Sequence, residues 1–163
     1  GPVGDFCVVD QTMVLVMMAP WGVAPSPVPV PVPPPAGPAT IIAVPMPIKG
    51  SAKKVKVVGK KAVLDGDEKK WKTMAVYMSG LYVIPGMGMC KISMLGMDQK
   101  TKTVKAEGKA MVLKGSNCVV EFKPMLKAMY QPPGPVAPQM CPIPMFYGQG
   151  KFLELTNLKV KAT

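Results

Sequence analysis

The chain contains neither histidine nor arginine, and all 20 of its basic residues are lysine. Without imidazole there is no histidine general base, no histidine-led triad and no imidazole metal ligand. Without guanidinium there is no bidentate fork for guanine or phosphate, which makes nucleic acid a weak candidate partner. Long hydrophobic runs are missing too. The longest one unbroken by proline, Met13–Ala19, falls far below the ~20 residues that a helical membrane span needs. The first residues, GPVGDF, show no basic region followed by an apolar stretch, so no signal peptide is expected. Acids number only nine, and no Ser, Thr or carboxylate pair stands at a catalytic spacing, so an enzyme is not expected.

Hydrophobic residues make up 48% of the 163, charged residues 18%, and the mean hydropathy is +0.24. Such a chain is apolar enough to bury a core and poorer in charge than the ~25% usual for soluble domains. Its length points to one domain, residues 1–163. The charge is uneven. Residues 1–48 hold Asp5 and Asp10 and no lysine, whereas residues 49–163 hold every lysine and seven acids.

Eight of the 20 prolines fall between Pro20 and Pro35, inside a stretch from Gln11 to Ile48 that carries no charge. Proline lacks the N–H that a sheet ladder uses, so the segment 20–47 is predicted to be an ordered, extended piece, polyproline II or an edge, packed on the rest. The remainder alternates lysine with apolar residues, as in KKVKVV (53–58), TKTVKAE (101–107) and NLKVKA (157–162). A period of two marks half-buried strands with lysine outward. Two segments carry weaker helix signals. Lys69–Met78 follows acids that suit a first turn but reads equally well as strand, and Pro124–Tyr130 opens on a proline and stops at QPPGP. The expected fold is mainly β, short strands joined by glycine turns, with one or two short helices.

An internal repeat carries the most information. At an offset of 49, VKVVGKKAVLDG (55–66) matches VKAEGKAMVLKG (104–115) at seven of twelve positions. Each unit reads as strand, turn at Gly59 or Gly108, strand, then Gly66 or Gly115, which places β-hairpins near 53–67 and 102–116. Fainter echoes link VPMPI (44–48) with CPIPM (141–145), and PSPVPVP (25–31) with PPGPVAP (132–138).

These hairpins resemble the PAAR and PAAR-like family of spike tips, whose signature runs Gly-x-Pro-Ala-Ala-Arg-x-Gly-Asp. In register the chain offers GKKAVLDGD (59–67) and GKAMVLKGS (108–116). The flanking glycines, the small or apolar middle and Asp67 are kept; the signature proline and arginine are not. The resemblance implies a small pseudo-threefold cone or prism of hairpins. Such a tip caps and sharpens a trimeric β-helical spike in a contractile injection system: type VI secretion, an extracellular contractile system or a phage tail. It also implies assembly in the bacterial cytoplasm, ejection with the spike, effector cargo in some members, and transient contact with a target membrane. The alternatives from other classes are a basic β-barrel that binds nucleic acid or anions, and a soft-metal carrier.

Four cysteines, Cys7, Cys90, Cys118 and Cys141, stand 83, 28 and 23 residues apart with no CxxC. This spacing leaves structural metal, buried free thiols and disulfides all open. The resemblance implies one structural zinc or iron ion, which in a chain without histidine falls to these four thiolates. GMGMC (86–90) and QMC (139–141) offer soft sulfur for Cu(I), though methionine is more often a core filler or docking residue. Lysines with Trp71, Tyr77 and Tyr82 would suit a stacked phosphate backbone, though alternating lysine is more often a solvated strand face. DGDE (65–68) is a fragment of a calcium loop at a place where the hairpin pattern already asks for Gly and Asp.

Overall fold

A computed structural model describes residues 5–6, 13–23, 36–154 and 161–162, with side chains placed for 36–153. The order of strands is β1 (Asp5–Phe6), β2 (Met13–Val23), β3 (Ala39–Ala43), β4 (Lys56–Val57), β5 (Lys60–Lys61), β6 (Lys72–Ser79) and β7 (Tyr82–Met94). There follow β8 (Lys100–Ala106), β9 (Lys109–Val112), β10 (Cys118–Leu126), β11 (Met129–Tyr130), β12 (Gln139–Met140), β13 (Phe146–Glu154) and β14 (Lys161–Ala162). The fold is mainly β, as the lysine alternation predicts.

Antiparallel pairing runs β10–β13–β2–β3–β6–β7, and β7 pairs back onto β10, so the six strands form a ring. Its thinnest seam is between β2 and β3, which meet only at Trp21 and Ala39. The result is a nearly closed barrel. A barrel this small is filled by its own inward side chains. Alternation on β6 sends Thr73, Ala75 and Tyr77 inward. Tyr77 meets Phe122 edge-on at a ring separation of 5.0 Å and Phe146 at 5.6 Å. Ile41, Ile92, Val120 and Phe152 complete the same core.

The two sequence repeats become two hairpins, β4–β5 and β8–β9. Their turns match in detail. Val58 and Gly59 have φ of 52° and 76°, and Glu107 and Gly108 have 52° and 78°. Two consecutive positive φ values define the tight hairpin turn whose twist suits the flanking strands, and glycine at its second position removes half of the strain. The hairpins pack on each other around a second core in which Val57, Ala62 and Leu64 correspond, 49 residues on, to Ala106, Met111 and Leu113. Leu64 and Met111 face each other across the two units. Asp65 N–H donates to Ala110 O and Val112 N–H to Val63 O, both at 2.8 Å.

Val58 is a β-branched residue held left-handed and 54% exposed. That conformation costs about 1 kcal/mol, which asparagine largely avoids. Val58→Asn is therefore expected to raise the melting midpoint by about 2–4 °C in a calorimetric scan.

Several local expectations are corrected. Pro124–Tyr130 is not helical: Pro124 lies in β10, where the β7–β10 register shifts between Pro124 and Leu126. A bulge is a place where a strand tolerates the missing N–H. Lys69–Met78 is mostly the strand β6, and the helical piece is a single 3-10 turn at Asp67–Lys70. The flanks of the proline-rich segment are strands paired on both sides, since Pro20 belongs to β2 and Ala39–Ala43 to β3. Its centre, residues 24–35, lies outside the described residues.

Candidate functional site

Cys90, Cys118 and Cys141 are buried free thiols, and the ladder separates them. Cys90 on β7 faces Phe122 on β10, four residues from Cys118, which is roughly 13 Å along a strand. Cys141 is held at the other end, where its N–H donates to Ala128 O at 2.7 Å and its thiol lies against the Tyr77 hydroxyl. Tyr77 pairs with Gly86, four residues before Cys90. The three thiols are thus strung along the barrel, and among the described residues no three His, Cys, Asp or Glu side chains come together to hold a metal ion. These three thiols alone do not make a thiolate site. Cys7 lies outside the described residues.

Burial pushes the Cys90 thiol up from its ordinary value of 9.0 to about 12 and that of Cys118 to about 11. Desolvation likewise holds the Tyr77 phenol at about 12, although the Ala128 N–H favours the phenolate. Each group is neutral when protonated, so its contribution to stability is complete below the ordinary pKa and is lost as pH rises toward the folded value. The melting midpoint is expected to fall between pH 9 and 11, with a shallower slope in Cys90→Ala/Cys118→Ala. Equal slopes would show that the thiols do not drive the loss.

The other sulfur ligands are split as well. Gly86, Gly88 and Cys90 face the barrel interior, whereas Met87 and Met89 lie on the outer side of the same strand. The aromatic residues offer no stacking platform, because Tyr77 and Tyr82 are 1% exposed and Trp71 5%. The DGDE carboxylates are engaged within the chain: Asp65 Oδ1 pairs with Lys100 Nζ at 2.9 Å, and the other two serve the backbone. Asp67 Oδ2 accepts from Ser51 N–H and Leu64 N–H, each at 2.9 Å, and Glu68 Oε2 accepts from Gly66 N–H at 2.8 Å.

What the sequence reading missed is the outer face of the sheet. Pairing aligns Ile42 with Val76 and Val76 with Met87, and Met87 with Leu126. These four are 63%, 42%, 38% and 55% exposed. They form an apolar strip across β3, β6, β7 and β10, about 14 Å wide at the usual strand spacing. Two residues further toward the hairpins the row is Met74, Met89 and Lys123; the next is Lys72, Lys91 and Glu121. The outer surface therefore grades from apolar at the β6–β7 turn to lysine at the hairpin layer. A contiguous exposed apolar strip marks a docking surface on a folded protein. Its signal in the sequence was the outward set of β6, Met74 and Val76, standing where its neighbours carry lysine.

No curated protein matches the chain. The profile of a family described as contractile injection system spike tip protein matches residues 3–163. That match takes in the proline-rich segment, both hairpins and every strand of the barrel, so the chain belongs to the contractile injection system spike tip proteins.

Proposed function

We propose that the chain is a structural tip that caps a trimeric β-helical spike, one tip per trimer, and is driven into the target membrane ahead of it. The apolar strip Ile42–Val76–Met87–Leu126 carries this reading, because it is exposed and without a partner among the described residues and would be costly in water if nothing covered it. The strip sits on the spike, and the lysine-coated hairpin layer leads.

The rest of the architecture supports a passive part. A ring of hydrogen-bonded strands, closed except along the β2–β3 seam, leaves little unpaired edge to peel, and the two repeated hairpins turn tightly on glycine. A tip of this kind works by stiffness and shape and needs no catalytic group. Mixing the chain with the trimeric spike of its own injection system is expected to give a complex that elutes earlier than either component in gel filtration. Separate elution at micromolar concentrations would count against the proposal.

A further inference from the structure

A cleft of about 420 Å³ opens between the chain before β4 and the start of β6. Lys49, Lys70 and Lys72 line it, with Ser51, Asp67 and Trp71. We infer that this cleft binds a phosphate-bearing anion with two or more negative charges.

Trp71 points into the core, where its indole N–H donates to Met46 O at 2.8 Å. Lys70, the last residue of the 3-10 turn, and Lys72, the first of β6, flank it and are both exposed. Lys49 comes from the segment that Met46 begins, so the indole bond ties the two walls to each other. Among the described residues that line the cleft one carries a carboxylate, Asp67, and its Oδ2 is already occupied by two backbone N–H groups. Three lysines thus line the cleft beside one carboxylate. Among the described residues the one ion pair is elsewhere, Lys100 Nζ to Asp65 Oδ1 at 2.9 Å. Lys72 also lies directly opposite Lys91 on the β6–β7 ladder, an arrangement of like charges that destabilises a sheet. An arriving anion relieves that repulsion.

Lysine binds phosphate as a compact point charge, without the bidentate fork of arginine, so three lysines around one cleft suit an anion that carries two or more charges. The volume lies within the range of small-molecule sites, roughly 300–1,000 Å³. A soluble diphosphate or the phosphate of a lipid headgroup meets these terms equally. The inference is independent of spike docking, since the cleft lies at the lysine end of the β6 outer face and the apolar strip at the other.

Inorganic pyrophosphate is the probe. Calorimetric titration is expected to give one-to-one binding that Lys70→Gln/Lys72→Gln weakens by at least about tenfold. Lys102→Gln/Lys105→Gln, which removes the same charge from the hairpin layer, is expected to leave the affinity unchanged. All four lysines are solvent-facing, and a melting curve of each variant is the check that it folds. Sedimentation with phosphatidylcholine vesicles, with and without phosphatidic acid, then separates the sources. Vesicle binding that pyrophosphate reverses identifies a headgroup, and pyrophosphate binding without vesicle binding identifies a soluble anion. No saturable binding of either, or equal losses in the two double variants, overturns the inference.

Discussion

Gly88→Ala is expected to lower the melting midpoint by about 10 °C, from a loss of roughly 3 kcal/mol. Gly88 faces into the barrel at the seam where β7 pairs with β10, opposite Pro124. A Cβ there would overlap the carbonyl oxygen of Lys123 and press on the Cα of Pro124. Both are backbone atoms and cannot rotate away, so the strands themselves must part. Gly86, two residues earlier, is equally hemmed in by Leu126 O and Ala128 N. Together they let the ring close with its backbones almost touching. Met87→Ala between them is the control, because its side chain is on the outer surface and its loss is expected to cost only about 0.5 kcal/mol. If the two variants melt together, the seam does not depend on close approach.

The second large effect is on association. Val76→Glu places a carboxylate in the middle of the apolar strip, with Ile42 on one side and Met87 on the other. Val76 is 42% exposed in the free chain, so the fold tolerates the change with a shift of about 0.5 kcal/mol or less. In the complex the charge would be buried without a partner, which costs several kcal/mol. Affinity for the spike is expected to fall at least about 100-fold, measured by surface plasmon resonance. Lys60→Glu, a larger charge change in the hairpin layer, is expected to leave it intact. The opposite ranking would move the contact surface to the lysine end.

The repeat was legible because its information is local. Gly59 and Gly108 occupy left-handed positions next to matching strands, and no distant residue is needed to recognise such a turn. The ring was not legible, because β7 and β10 lie about 30 residues apart in the chain and nothing local announces their pairing. Gly86 and Gly88, its strongest signature, alternate with Met87 and Met89, and the same five letters read as well for soft sulfur ligands. Pro124 shows the same conflict: the local preference for a helix start lost to a strand that bulges there. Trp71, Tyr77 and Tyr82 looked available for stacking because spacing does not reveal which side of a strand faces the core. Cys90, Cys118 and Cys141 failed to converge for a related reason, being placed at successive levels of one barrel.

The apolar strip follows from alternation once the strands are placed. Every second residue of β6 is outward, and the set runs Lys72, Met74, Val76 and Met78 from the hairpin end to the β6–β7 turn. Polarity therefore changes along the outer face, while the inward set Thr73, Ala75, Tyr77 and Ser79 carries no charge at either end. A free-standing barrel has no use for that gradient, and a barrel seated at one end on a partner does.

The most direct test is the composition of the complex. Native mass spectrometry of the chain purified together with its own spike is expected to give one copy of the 163-residue chain on each spike trimer, and no such species with Val76→Glu. Three chains per trimer, or a trimer that carries none while the chain remains monomeric beside it, would contradict a single cap.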